Sequence, residues 1–479
     1  MQKERHPDRF LFMLTCKASI MIKTLDRGKV MNKHIKTWFD RYEDQVTAYS
    51  KKLWEHAEPM MEEYFACEET AAFLEEQGFT VEVCHCTYPE RKPNTVVASF
   101  GSGHPVVAVF GEYDALPDLG QDTVPYRSVK PGCGHGCGHN LMAASAISAA
   151  CAAKAAVEQE GLKGTIRFLA CPAEEGGNGK LYMQQLGLFD GIDCLIGWHA
   201  DDGPLTGFEK MGLSIEKIVF TFTGKASHAA KAPEMGRSSM DAAELMSVGV
   251  QYLREHISSD CRIHHSYLET ISKANIVPEH SSVYYVIRAK DLEGMYALAE
   301  RVIKIAQGAA MMTETQLDYH IESALPGTLI VTSFTKFLCE SAQKIPDLTY
   351  SQEEEEFAKE IYKSVFQKEA EGGVLSTDLV QPDGVVTTNY ASTDLGYITY
   401  LIPTGRLVGL GMVKKTPVHH WALTCTAGMS IGQKAAVYVG KCLAQALVDM
   451  LHNPEQVTIF KQEHEKLCKG QNLKVVMPK

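Results

Sequence analysis

Between Gly132 and Asn140 the chain reads GCGHGCGHN, two cysteines and two histidines set among glycines just ahead of an alanine-rich stretch. Three kinds of chemistry fit so many soft donors on so little backbone: a structural zinc knot, a reactive thiol, or one arm of a catalytic metal centre. A structural zinc site draws two ligand pairs from separated segments. Here all four donors fall between Cys133 and His139, and no matching second pair appears. The glycines permit unusual backbone angles and close approach to an ion. Cys137 and His139, two residues apart, can reach one ion from an extended loop, whereas Cys133 and His135 read as packing or outer support.

Other reactive residues end apolar runs: Glu112 and Asp114 close PVVAVFGEYD, Glu174 and Glu175 close GTIRFLACPAEE, and His199 closes DCLIGWHA. Each also has a bland reading. Asp114 could cap a turn, His199 could be a satisfied buried histidine, and paired glutamates usually sit on surfaces. The Glu174–Glu175 pair stands out because it ends an apolar run and precedes the tight turn GGNGK.

What must position these residues is a sheet. The three runs have the continuous apolar character of buried parallel strands. A helix is expected from about Leu141 to Gln159, with Asn140 as its cap. Open α/β sheets gather chemistry at the carboxyl ends of parallel strands, so these segments converge on one sheet edge. Ahead of them, apolar residues at three- and four-residue steps from Lys33 to about Gln77 indicate helices, closed by Gly78. Past Gly212 the pattern becomes strand (SIEKIVFTFTG), helix (238–256), strand pair (262–289), helix (291–308) and strand (315–322). That β-α-β-β-α-β order is a split ferredoxin-like unit. The expected architecture is therefore α/β: a catalytic domain with a central, mostly parallel sheet from 31–212 and 326–479, and an inserted α+β domain over 213–325. Residues 1–30 carry no usable periodicity and read as a dispensable extension. The run SQEEEEFAKEIYKSVF reads as a solvated helix face.

A chain of 479 residues exceeds one ordinary core, consistent with two domains. Its net charge of -12 argues against nucleic-acid binding, which needs clustered Lys and Arg. The 14 cysteines form no disulfide framework in so long a chain and read as reduced thiols. Near the amino end, RFLFMLTCKASIMI is interrupted by Lys17 and lacks a cleavage site. No run of about 20 apolar residues suggests a membrane span. A soluble, cytoplasmic protein is expected.

The motifs GEYDALP, GHGCGHN, CPAEEGG, WH, TGKASHAA, GRSSMDA, IRA, NYASTDLG and TPVHHW, in this order from Met31 to about residue 465, resemble the aminoacylase/carboxypeptidase family of dinuclear metallopeptidases and amidohydrolases. The resemblance implies two divalent ions, Mn²⁺ or Zn²⁺, held by Cys137, His139, Glu175, His199 and His419, with His420 as the alternative to the last. That donor set suits Zn²⁺ or Mn²⁺ better than Mg²⁺ or Ca²⁺. It implies Glu174 as the general base and Asp114 as the carboxylate orienting a ligand histidine. Many relatives have His where this chain has Glu112, and Asp where it has Asn140; His139 takes the place of the missing ligand, and Glu112 has no assigned role. The inserted domain is implied to be a lid and dimerisation surface. His228 would stabilise the oxyanion in the partner's site, and Arg237, Asn275 and Arg288 would contact substrate. The partner is expected to be an identical chain or a homologous subunit.

The function implied is hydrolysis of the amide bond of an N-acyl amino acid, p-aminobenzoyl-glutamate first, with other N-acyl amino acids or dipeptides as alternatives. A non-catalytic partner subunit is the main rival, disfavoured because base and ligands are all present. A thiol amidase using Cys137 is a third reading.

Overall fold

The computed structural model describes residues 29–477 apart from 87–90, 129, 209, 271, 272, 391, 472 and 474. Most of the amino-terminal extension therefore lies outside the described residues. Of its last two residues, Lys29 pairs with Asp347 and Val30 is exposed.

Along the chain the strands are β1 (Thr80–Cys84), β2 (Thr95–Ser102), β3 (Val106–Glu112), β4 (Gly164–Cys171), β5 (Cys194–Asp201), β6 (Thr206–Gly207), β7 (Lys210–Gly212), β8 (Ser214–Thr223), β9 (Arg262–Glu269), β10 (His280–Ala289), β11 (Gln316–Leu325), β12 (Thr387–Asn389) and β13 (Thr404–Gly411). Seven of them form one sheet in the order β1-β2-β4-β3-β5-β13-β6. Its centre, β4-β3-β5-β13, is parallel, and antiparallel strands flank it. The three apolar runs are thus neighbours, and β3 is buried at every residue. Burial on both faces explains their unbroken hydrophobicity. One face is covered by the helices His139–Glu160 and Ser430–His452, with Lys33–Glu55 outside them. On the other face Phe110, Leu169 and Leu195 pack with Met183 and Ile398 of two short helices.

The helix expected from Leu141 starts earlier, at His139, and its cap is Gly138 in the left-handed region (φ 75°). Asn140 is not the cap. It is fully buried, and its Nδ2 donates to Ser50 O, Ser50 Oγ and Ala427 O, tying the helix to two neighbouring segments. The same helix also corrects the membrane reading. His139–Glu160 is long and apolar enough to cross a bilayer, yet it is enclosed by protein, so its composition reflects a core helix.

Residues 214–325 form a second sheet, β11-β8-β10-β9, antiparallel throughout, with Ser239–Leu253 and Leu292–Thr313 packed on it. The order along the chain is the expected β-α-β-β-α-β. The second helix runs five residues beyond the expected end, through Gly308, and stops at Glu314 in the left-handed region. A glycine inside a helix costs only about 1 kcal/mol, which the buried Ala306, Ala309 and Ala310 offset.

Candidate metal centre

Each reactive residue stands where a central strand ends or a loop returns over it. Asp114 follows β3, Glu174 and Glu175 follow β4, His199 lies near the end of β5, and His419 follows β13. Cys137 and His139 come from the glycine loop, which is pinned by paired backbone bonds between Leu116 and Gly134. At Gly134 a Cβ would stand 2.1 Å from Leu119 O, so no other residue fits there. His419 is anchored to the loop by its N–H, which donates to Gly136 O at 2.8 Å.

Two triads of donor atoms result, and they share Cys137: Cys137–His139–His199 and Cys137–Glu175–His419, the atoms of each lying within 4.8 Å of one another. The Cys137 Sγ to His199 Nε2 distance is 3.5 Å, and His419 Nε2 lies 3.3 Å from Glu175 Oε2. Donors about 2.0–2.3 Å from a common tetrahedral ion are separated by about this much. His199 Nδ1 donates to Ala200 O at 2.8 Å, leaving its Nε2 lone pair free. His139 Nε2 and Glu175 Oε1 are buried and have no hydrogen-bond partner among the described residues. Buried polar atoms are rarely left so, and a cation bound between the triads would satisfy both. Hydrogen bonds to Cys137 and Glu175 push the pKa of His419 up to about 10. The donors thus fit a pair of borderline divalent ions.

Glu174 stands beside the triads, its carboxylate within 4.8 Å of donor atoms of His139 and Glu175. Its loop is wound by Ala173 in the left-handed region (φ 54°), whose N–H donates to the buried Glu63 Oε1 at 2.8 Å. Burial first, and then the charge of Glu112, raise the Glu174 pKa to about 7, against the pull of Lys180. Lys180 is fully buried, with its Nζ 2.5 Å from Glu112 Oε1 and 2.7 Å from Asp394 Oδ1. Glu112, Glu174 and Asp394 therefore cluster around the protein's own ammonium. This gives Glu112 a place: it holds Lys180, while its Oε2 stands 3.7 Å from His139 Nε2.

Cys137, Glu174, Glu175, His199 and His419 line a cavity of ≈ 570 Å³ together with Lys210, Lys217, Arg288 and Arg406. Of the lid residues singled out in the sequence, only Arg288 reaches it. Arg288 Nη1 donates to Ser392 Oγ at 3.0 Å and Tyr390 O at 3.2 Å. Arg288 pairs with Ile215 at the near end of β8. His228, Arg237 and Asn275 lie beyond its far end, about 30 Å along the strand. There Ala229 N donates to Asn275 O, and Arg237 Nε pairs with Glu314. Within one chain these three stand outside the site. His420 is not among the donors either; its Nδ1 caps the helix Trp421–Ala427. His135 is buried with Nε2 against Leu53 O, in keeping with a packing role.

Sequence reasoning passed over Lys180, Asp394, Glu63 and Arg406. Lys180 and Asp394 sat inside quoted motifs, but their pairing links distant segments. Arg406 had a local signal, a single basic residue in the apolar strand TGRLVGLG.

Comparison with known proteins agrees with this geometry. The sequence model of peptidase family M20/M25/M40 matches residues 108–420. The chain is 33% identical over 462 residues to one of the subunits of p-aminobenzoyl-glutamate hydrolase from Escherichia coli, covering 91% of this chain and 95% of that protein. It is 25% identical to the Xaa-Arg dipeptidase of Mus musculus over 76% of this chain and 74% of that one. Among solved structures, a dinuclear metal binding peptidase of the M20 family from Bacillus subtilis superposes with a TM-score of 0.59 at 19% identity, covering 86% of this chain and 99% of that one. An aminobenzoyl-glutamate utilization protein from Klebsiella pneumoniae gives 0.56 at 16% identity, covering 85% and 98%.

Proposed function

The chain belongs to peptidase family M20/M25/M40 and is an amide-bond hydrolase, and from that premise we propose that it cleaves p-aminobenzoyl-glutamate to p-aminobenzoate and glutamate. The observation that carries this reading is a half-buried carboxyl, Glu174, beside two donor triads joined through Cys137 at one cavity. The relative of matching length and 33% identity supports the choice of substrate. The cationic side chains of the cavity suit the glutamate half.

Cys137, His139 and His199 would hold one divalent ion, and Cys137, Glu175 and His419 the other, as Mn²⁺ or Zn²⁺. Such ions, when bound, polarise the scissile carbonyl and acidify water at the site. Asp114 and Ala200 O fix the tautomers of His139 and His199 so that each presents Nε2. Glu174 accepts a proton from the attacking water and returns it to the leaving nitrogen. Its raised pKa, near working pH, suits both transfers. A second chain, identical or a homologous subunit, would bring His228, Arg237 and Asn275 to the site, His228 as oxyanion donor. The working compartment is the cytoplasm.

The test strips the purified protein with a chelator, restores Mn²⁺ or Zn²⁺, and compares p-aminobenzoyl-glutamate with N-acetyl amino acids and dipeptides. Metal-dependent cleavage that is fastest on p-aminobenzoyl-glutamate is expected. Preference for a dipeptide would move the assignment toward the dipeptidase relatives. Activity that survives chelation but not thiol alkylation would overturn the metal mechanism.

A further inference from the structure

Arg406 lies on β13 two residues before Val408, which is paired with His199 on β5. Side chains two apart share a sheet face, so Arg406 and His199 stand on the same side. The guanidinium carbon sits 4.2 Å from the centre of the Phe208 ring, and the side chain lines the cavity of the donor triads. Among the described residues no carboxylate pairs with it and no acceptor takes its side-chain hydrogens. The side chain is half-buried, and Glu112 and Glu174 act on it only through their charge, whereas charges drawn out of water are ordinarily paired directly. Arginine cannot escape by losing its proton. The contact with Phe208 engages the guanidinium's charge and leaves its N–H groups for a carboxylate, which a guanidinium can grip through two bonds.

The lining from the second sheet is also cationic. Among the described residues Lys217 bonds only Gly176 O at 3.5 Å, and Arg288 keeps a buried Nε without a hydrogen-bond partner. One cavity thus carries cationic side chains from both sheets.

We propose that Arg406 is a specificity-determining anchor that binds one carboxylate of the substrate's amino-acid half, so that the cavity selects N-acyl derivatives of dicarboxylic amino acids. The proposal rests on the amidohydrolase reading and adds the class of amino acid and the residue that chooses it. The second carboxylate belongs to the Lys217–Arg288 wall.

The test compares wild type with Arg406→Gln on three substrates: p-aminobenzoyl-glutamate, p-aminobenzoyl-glutamine and p-aminobenzoyl-isoglutamine, each amide neutralising one carboxylate. Loss of one partner of a desolvated, hydrogen-bonded charge pair corresponds to roughly 10²-fold. Arg406→Gln should lower kcat/KM on the glutamate substrate by about that factor and change it little on one of the two amides, with Arg406→Lys recovering part. Equal losses on all three substrates, or none on any, would overturn the anchor. Metal content and Tm are followed to separate this from a packing defect against Phe208. Calorimetric binding of L-glutamate to both proteins separates failure of the anchor from failure of the reaction reading. If wild type cleaves none of the three yet binds glutamate at least about tenfold tighter than Arg406→Gln, the anchor stands and the reaction falls. Equal binding by both proteins sinks the anchor.

Discussion

Oδ1 of Asp114 lies 2.8 Å from Nδ1 of His139. A carboxylate only accepts, so the imidazole must donate there and present Nε2 to the triad. The other oxygen, Oδ2, accepts the Glu175 N–H at 2.8 Å, so one carboxylate orients residues of both triads. Asp114→Asn is expected to weaken metal binding about 10–100-fold, measured by competition with a chromophoric chelator. Affinity within twofold of wild type would show that Asp114 does not set the tautomer.

Base and ligands separate by metal content. Glu174→Gln should reduce turnover on the order of 10²–10⁴-fold while the protein keeps its full metal complement. Glu175→Gln should lower that complement, and Cys137→Ala should lower it most, because Cys137 belongs to both triads. Elemental analysis beside kcat decides. A Glu174→Gln protein with more than about a tenth of the activity would remove Glu174 from the base role.

Lys180 neutralises two buried carboxylates, so Lys180→Met leaves Glu112 and Asp394 facing each other without a cation. Breaking a buried ion pair from one side costs about 3–5 kcal/mol, read as a lower denaturation midpoint. Adding Glu112→Gln to that variant should recover part of the loss. If Lys180→Met were as stable as wild type, the cluster would contribute nothing net.

Glu112 also sets a pH dependence. Its charge raises the Glu174 pKa, and the base works only when deprotonated, so activity falls as pH drops through that value. Glu112→Gln removes the repulsion and should move the acid limb of kcat/KM to lower pH, on the order of one unit. Lys180→Met should move it the other way. Bound cations act alike on all these proteins, so the differences carry the sign. A limb that moves in the same direction in both variants would break the link.

His228 is expected to act across a subunit interface. His228→Ala should lower kcat by about 10²–10³ without changing metal content. Mixing it with inert Glu174→Gln protein should restore activity, because some mixed dimers hold one site with an intact base and histidine. Differently tagged chains confirm exchange, and no recovery after exchange would confine His228 to its own chain.

The parallel strands were readable because burial on both faces leaves unbroken apolar runs, and strand ends mark where chemistry collects. The ferredoxin-like unit was readable from its order of elements alone. Asn140 misled because an asparagine before a helical run usually caps it, whereas here left-handed Gly138 starts the helix and buries Asn140 within it. The Lys180 cluster was unreadable for another reason. Its partners Glu112 and Asp394 lie far apart in sequence, and only the sheet and its covering loops bring them together. Arg406 stood in plain view, but a lone arginine in a strand acquires meaning only once its missing partner is known.

The helix His139–Glu160, apolar nearly all round, is covered largely by Ser430–His452. About 270 residues of synthesis separate the two. At roughly 5–20 residues per second, the first helix leaves the ribosome some 15–50 seconds before its cover exists. For that interval the nascent chain displays a segment with the composition of a bilayer span. That exposure is a consequence of the discontinuity of the core, whose two covering halves lie on either side of the second sheet along the chain.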